Sequence, residues 1–153
     1  MNLFGLMETS GSAMQAERMR AEIVATNMAN AETTRTESGG PFKRQHVIFT
    51  ANQADPQFAN SLHQAVGNWA QRDADPPGGV HISQVLEDSG PPLMRYDPGH
   101  PDADKDGYVS YPDINPLTEM VDLMSATRAY GLNNSAVQAE KGMIAAAIDI
   151  ARS

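Results

Sequence analysis

The stretch NPLTEMVDLMSATRAYGLNNSAVQAEKGMIAAAIDIARS, residues 115–153, decides the architecture. Asn115 is a good helix N-cap and Pro116 a good first helical residue, where its missing N–H costs nothing. From there Leu123, Tyr130, Val137, Ile144 and Ala151 recur every seven residues. Met120, Thr127 and Ile148 occupy the offset that completes a heptad seam, joined by the polar Asn134 and Lys141. Such a repeat predicts a continuous helix with a coiled-coil-like stripe, roughly 55 Å long at about 1.5 Å per residue. A small domain cannot cover a stripe of that length. Either the other end of the chain or another subunit must.

The other end is built the same way. All ten prolines lie between Pro41 and Pro116, and proline breaks helices, so only the two ends can be long and helical. Met7, Met14, Ala21 and Met28 recur every seven residues, widened by Ala16, Ile23 and Val24, which predicts a helix from Leu3 to Asn30. Gly5 and Gly11 weaken its start. Eight of the nine methionines fall in the proline-free ends, where an adaptable side chain suits helix–helix contact within or between chains.

Between the ends the chain is rich in Pro and Gly. Thr33 to Gly40 reads as a polar loop and Lys43–Thr50 as a strand. Asp55–Gly79 reads as a loop or flexible insertion, with Phe58, Leu62, Val66 and Trp69 spaced for a short amphipathic helix. Val80–Leu86 and Leu93–Tyr96 read as two strands around the Gly90-Pro91-Pro92 turn, and Tyr108–Tyr111 as a further short strand. The expected fold is mainly α with a small β element: two long terminal helices pairing as a coiled coil around a β-containing middle. The expected divisions are 1–36, 37–113 and 114–153.

Composition narrows the function. The net charge is −8, and residues 51–106 hold nine acids against three bases, so binding to a phosphate backbone is not expected. With no cysteine, disulfides, thiolate metal sites and a Cys nucleophile are excluded. Residues 1–11 lack the basic start, apolar run and cleavage site of a secretory signal, and no run is apolar enough to span a membrane. His46, His63, His81 and His100 show no ligand-like spacing. No phosphate loop, nucleophile elbow or carboxylate pair proposes a reaction, so no catalytic residue, metal or cofactor is expected.

Two polar features remain. Asp102, Asp104 and Asp106 with Gly107, Val109 and Ser110 match the start of a calcium loop. Position 12 is Asp113 rather than the usual bidentate Glu, Pro112 precedes it, and Pro98 and Pro101 rule out an entering helix. A calcium-responsive module is the alternative reading, and an acidic turn the plainer one. The helical asparagines Asn27, Asn30, Asn133 and Asn134 cap helix ends, face water, or hydrogen-bond across helices to specify register.

At this point the residues carry a resemblance. Ser10 to Arg18 and Ala25-Thr26-Asn27-Met28-Ala29-Asn30-Ala31 look like the N-terminal signature of the bacterial flagellar rod and hook proteins, and Gly40-Pro41-Phe42-Lys43-Arg44 like the segment after it. Gly107-Tyr108-Val109-Ser110-Tyr111-Pro112-Asp113-Ile114-Asn115, leading into Glu119 to Tyr130 and Asn133, is similar to the C-terminal region of a short proximal-rod member. Asp113 stands where that family often has Asn, and Gly131 and Gly142 interrupt the last helix. The resemblance implies a structural protein of the basal body. It would be exported unfolded by the flagellar type III apparatus without a cleaved signal. It would assemble in the periplasm, with copies of itself, other proximal- and distal-rod proteins and the rod-to-membrane-ring adaptor, into a hollow shaft that passes motor torque to the hook. The expected assembly residues, from the apolar stripes and helical asparagines, are Met7, Met14, Ile23, Asn27, Met28, Asn30, Met120, Leu123, Tyr130, Asn134, Val137 and Ile144.

Overall fold

The computed structural model describes residues 3–52 and 78–152. The short helix expected from Phe58 to Trp69, most of the expected insertion and His63 lie outside the described residues.

Helix α1 spans Leu3–Ala29 and helix α2 spans Pro116–Arg152. Between them lie β1 (Gln45–Ala51), β2 (Val80–Glu87), β3 (Leu93–Tyr96) and β4 (Tyr108–Tyr111). The chain is mainly helical with a small β element. α2 begins as its sequence requires: Asn115 Oδ1 accepts from Leu117 N at 3.0 Å and Thr118 N at 3.4 Å, and Asn115 O accepts from Glu119 N at 3.1 Å. α1 ends where Asn30 turns its amide back onto Thr26 O at 2.9 Å and accepts from Thr33 Oγ1 at 3.2 Å. The loop that follows closes on itself, with Phe42 N donating to Thr33 O and Thr36 N to Gly40 O.

The strands form two pairs, β1 with β2 and β3 with β4. The turn at Gly90-Pro91-Pro92 separates β2 from β3 rather than pairing them. Two successive prolines have no N–H with which to open a ladder. β3 and β4 are antiparallel, with Leu93 opposite Tyr111 and Tyr96 opposite Tyr108. Gly107 begins the return strand at φ +81°, and a Cβ there would lie 2.9 Å from the Tyr96 ring. That close approach lets Tyr96 and Tyr108 meet edge to face, 5.4 Å between centroids.

The chain gathers into two compact units, each holding part of both helices. One comprises Met1–Ala16, Phe49–Ile82 and Ala129–Ser153. There Gly79, at φ +119°, passes so close to α1 that a Cβ would stand 2.5 Å from Ser12 Oγ, and Val80 N donates to the same hydroxyl at 3.1 Å. The other comprises Glu17–Ile48 and Ser83–Arg128. Its core holds Val24, Val109, Ile114 and Ala126, all buried.

Candidate functional site

Within the second unit the two helices are joined by polar groups. Asn27 and Glu119 are each 1% exposed. Asn27 Nδ2 donates to Glu119 Oε2 at 3.1 Å, while Glu119 Oε1 accepts from Arg44 Nε at 2.7 Å. The Asn27 amide also clamps the peptide of Gln45 from both sides: Nδ2 donates to Gln45 O at 2.7 Å and Oδ1 accepts from Gln45 N at 2.9 Å. Arg44 reaches on to Asp122 at 3.8 Å, and Asp122 meets Arg20 of α1 at 3.4 Å. Arg44 itself is tied down where Asp88 N donates to its carbonyl at 2.8 Å. A buried carboxylate needs such partners, because unpaired it is strongly destabilising. Here α1, the root of β1 and α2 supply one donor, one cation and one anion to a single node.

The covered face of α2 is therefore only in part the one that hydropathy selects. Glu119, Ala126 and Glu140 are buried, with Asn133 half-buried between the last two. These alternate with the half-buried Leu123, Val137 and Ile144 at heptad spacing. Tyr130 shares that row but is 40% exposed. The positions one residue on, Met120, Asn134, Thr127, Lys141 and Ile148, which the sequence pattern assigns to the seam, are exposed. Glu140 Oε2 is buried with no hydrogen-bond partner among the described residues.

On α1, Ala16, Val24 and Asn27 are buried. Met7, Met14, Ile23, Met28 and Asn30 are half-buried. Of the asparagines, Asn27 bridges helices, Asn30 caps, Asn133 Nδ2 bonds its own helix at Ala129 O (2.9 Å), and Asn134 is exposed. Sequence reasoning missed Glu119 and Arg44. The only available signal was an acid at heptad spacing from Ala126.

The face of α2 opposite Glu119 and Ala126 is open and apolar. Leu117, Val121, Met124, Leu132, Met143 and Ile150 follow one another along it, with Leu117 70% and Ile150 77% exposed. On the β3–β4 pair Met94 and Tyr96 are open on one face and Leu93 on the other. Among the described residues no helix is long and apolar enough to cross a membrane.

The acidic turn has other work than holding a cation. Asp102 Oδ2 accepts from Thr34 Oγ1 at 2.7 Å, and its other oxygen lies 3.7 Å from Arg35, so it docks the loop after α1. Asp104 Oδ1 accepts from the amides of Asp106 and Tyr108 at 2.9 and 2.8 Å, closing the turn on itself. Among the described residues no three His, Asp or Glu side chains converge on a common point. Nothing supports the calcium reading.

Two helical ends joined by a polar node, with an apolar face left open, describe a subunit whose neighbours complete it. Residues 7–35 match the family model for the flagella basal body rod protein, and residues 105–150 match that for the FlgEFG C-terminal region of basal body rod proteins. The flagellar basal-body rod protein FlgC of Bacillus subtilis is 36% identical, the alignment covering 99% of this chain and 100% of that protein. The chain belongs to the FlgC family of flagellar basal-body rod proteins. FlgC of Borreliella burgdorferi is 33% identical over 98% of both chains, and FlgC of Salmonella typhimurium 31% identical over 94% of both. The two matched regions lie at both ends of the fold: most of α1 with the loop after it, and β4 with nearly all of α2. Asn27 lies in the first and Glu119 in the second, so the node joins the two.

Proposed function

We propose that this chain is a structural, non-catalytic subunit of the proximal part of the flagellar rod, built into the periplasmic drive shaft through its terminal helices. The observation that carries the reading is the open apolar face of α2. A helix apolar on its uncovered side lacks a partner, and an exposed stripe of this kind marks an interaction surface. Likeness to FlgC over nearly the whole chain supports the rod as the source of that partner.

In this reading Leu123, Val137 and Ile144 fill the seam within the chain. Met120 and Tyr130, together with the outward row, meet neighbours. Met7, Met14, Ile23 and Met28, half-covered in the single chain, are completed by copies of itself or by other rod proteins. Asn134 and Asn30 give polar contacts at those borders. The rod-to-membrane-ring adaptor is the partner at the base, and the flagellar type III apparatus delivers the chain unfolded.

Electron cryotomography of basal bodies in a strain lacking this chain tests the proposal. The expected image shows the membrane ring intact and the rod missing. A complete rod in that strain would overturn it.

A further inference from the structure

The apolar row of the seam does not fix how far α2 slides along α1. Leu123, Tyr130, Val137 and Ile144 are interchangeable to a first approximation, so a slide of one heptad sets one apolar side chain where another stood. Glu119 is not interchangeable. A heptad toward the C-terminus from Glu119 stands Ala126, and a heptad before it stands Pro112, outside the helix. In either slipped arrangement Arg44 and Asn27 lose their acceptor, and a carboxylate 1% exposed loses both donors. The donors cannot follow the slide. Asn27 is held by two hydrogen bonds to the Gln45 peptide, and Arg44 by the bond from Asp88 N to its carbonyl.

We propose that Glu119 sets the register of the helix pair, with Asn27 and Arg44 as its positioning partners. The node thereby fixes the height at which α2 presents Leu117, Val121 and Met124 relative to the β3–β4 pair. Every copy then offers a neighbour the same surface. A buried charge pair adds little net stability compared with an apolar replacement of the same volume, and its best-attested use is to select one arrangement among near-equals. The inference concerns the single chain and stands or falls apart from the rod assignment.

The chain has no cysteine, so labels can be placed without background. Nitroxides at Arg18→Cys and Met124→Cys, both on exposed positions of the second unit, report the stagger by pulsed electron resonance on the full-length soluble protein. The parent should give one narrow distance. Glu119→Leu with Arg44→Met keeps the volume apolar and should stay helical by circular dichroism. It should also show a second distance, displaced in keeping with a heptad slide of about 10 Å. Glu119→Gln leaves an oxygen for Arg44 and should restore the single parental distance. A folded Leu/Met variant with only the parental distance overturns the proposal. Should that variant not fold, Asn27→Ala decides: a second stagger supports the register role, and an unchanged single distance overturns it.

Discussion

The two faces of α2 differ in a way opposite to an ordinary surface helix. The covered face carries Glu119 and Glu140 beside Leu123, Ala126, Val137 and Ile144, while the open face carries Leu117, Val121, Met124, Leu132 and Ile150. Burying one such apolar side chain is worth about 1.5–3 kcal/mol, so a chain built to work alone would turn that row inward. The covered face keeps Glu119 among apolar residues, paired within the chain, and in the proposed reading this residue selects one geometry. In the proposed assembly the cover of the open face comes from neighbouring chains. There the outward apolar row meets other chains, while within the chain Glu119 sits beside the apolar Leu123 and Ala126.

The sharpest way to break that comparison is a charge on the open face. Val121→Asp, at a position 59% exposed, should abolish incorporation into the rod and with it motility on soft agar. Val and Asp have similar helix propensity, so urea unfolding of the soluble variant should shift by less than about 1 kcal/mol. Motile cells, or a variant that no longer folds, would mean that the face is not the between-chain surface described here.

On the covered face the expected effects reverse. Glu119→Ala should cost about 3 kcal/mol in urea unfolding, the lower end for a broken buried pair because Arg44 still reaches water. An unchanged midpoint would show that the node contributes no stability to this state. Gly79→Ala tests the other unit, where the contact is steric rather than charged. A residue with Cβ at φ +119° and 2.5 Å from Ser12 Oγ should cost about 2 kcal/mol, read as a fall in the thermal midpoint. A neutral result would mean that the 78–80 segment does not bear on α1 as drawn.

Much of this architecture is legible in residues 115–153 and in the placement of the prolines. Asn115 and Pro116 fix the start of α2, and Leu123, Val137 and Ile144 identify one half of its seam. The other half is not legible from hydropathy. A polar residue in a seam looks like a surface residue until its partners are known. Arg44 and Asn27 come from segments 75 and 92 residues away from Glu119. Met120, Thr127 and Asn134 fit the heptad equally well on paper, since a shift of one residue turns the helix by only about 100°. Gly79 is similar: in the sequence it ends a loop or flexible insertion, whereas in the fold it is a close approach to Ser12. Strand pairing was hidden because the Gly90-Pro91-Pro92 turn announces a reversal without naming which strands meet.

The smallest expected effect is also the one that asks whether the two faces are independent. Asn115 holds the first turn of α2 through the amides of Leu117 and Thr118, and its carbonyl accepts from Glu119 N. It therefore supports Leu117 of the open face and Glu119 of the covered face together. Asn115→Ala should cost about 1 kcal/mol, the usual value of an N-cap. If the cap acts by holding Glu119 against Arg44 and Asn27, Asn115→Ala combined with Glu119→Ala should cost less than the two separate losses added. Full additivity in the urea unfolding midpoints would place the cap outside the node. Open and covered faces would then be anchored separately, and the division of labour between them would begin one turn further along the helix.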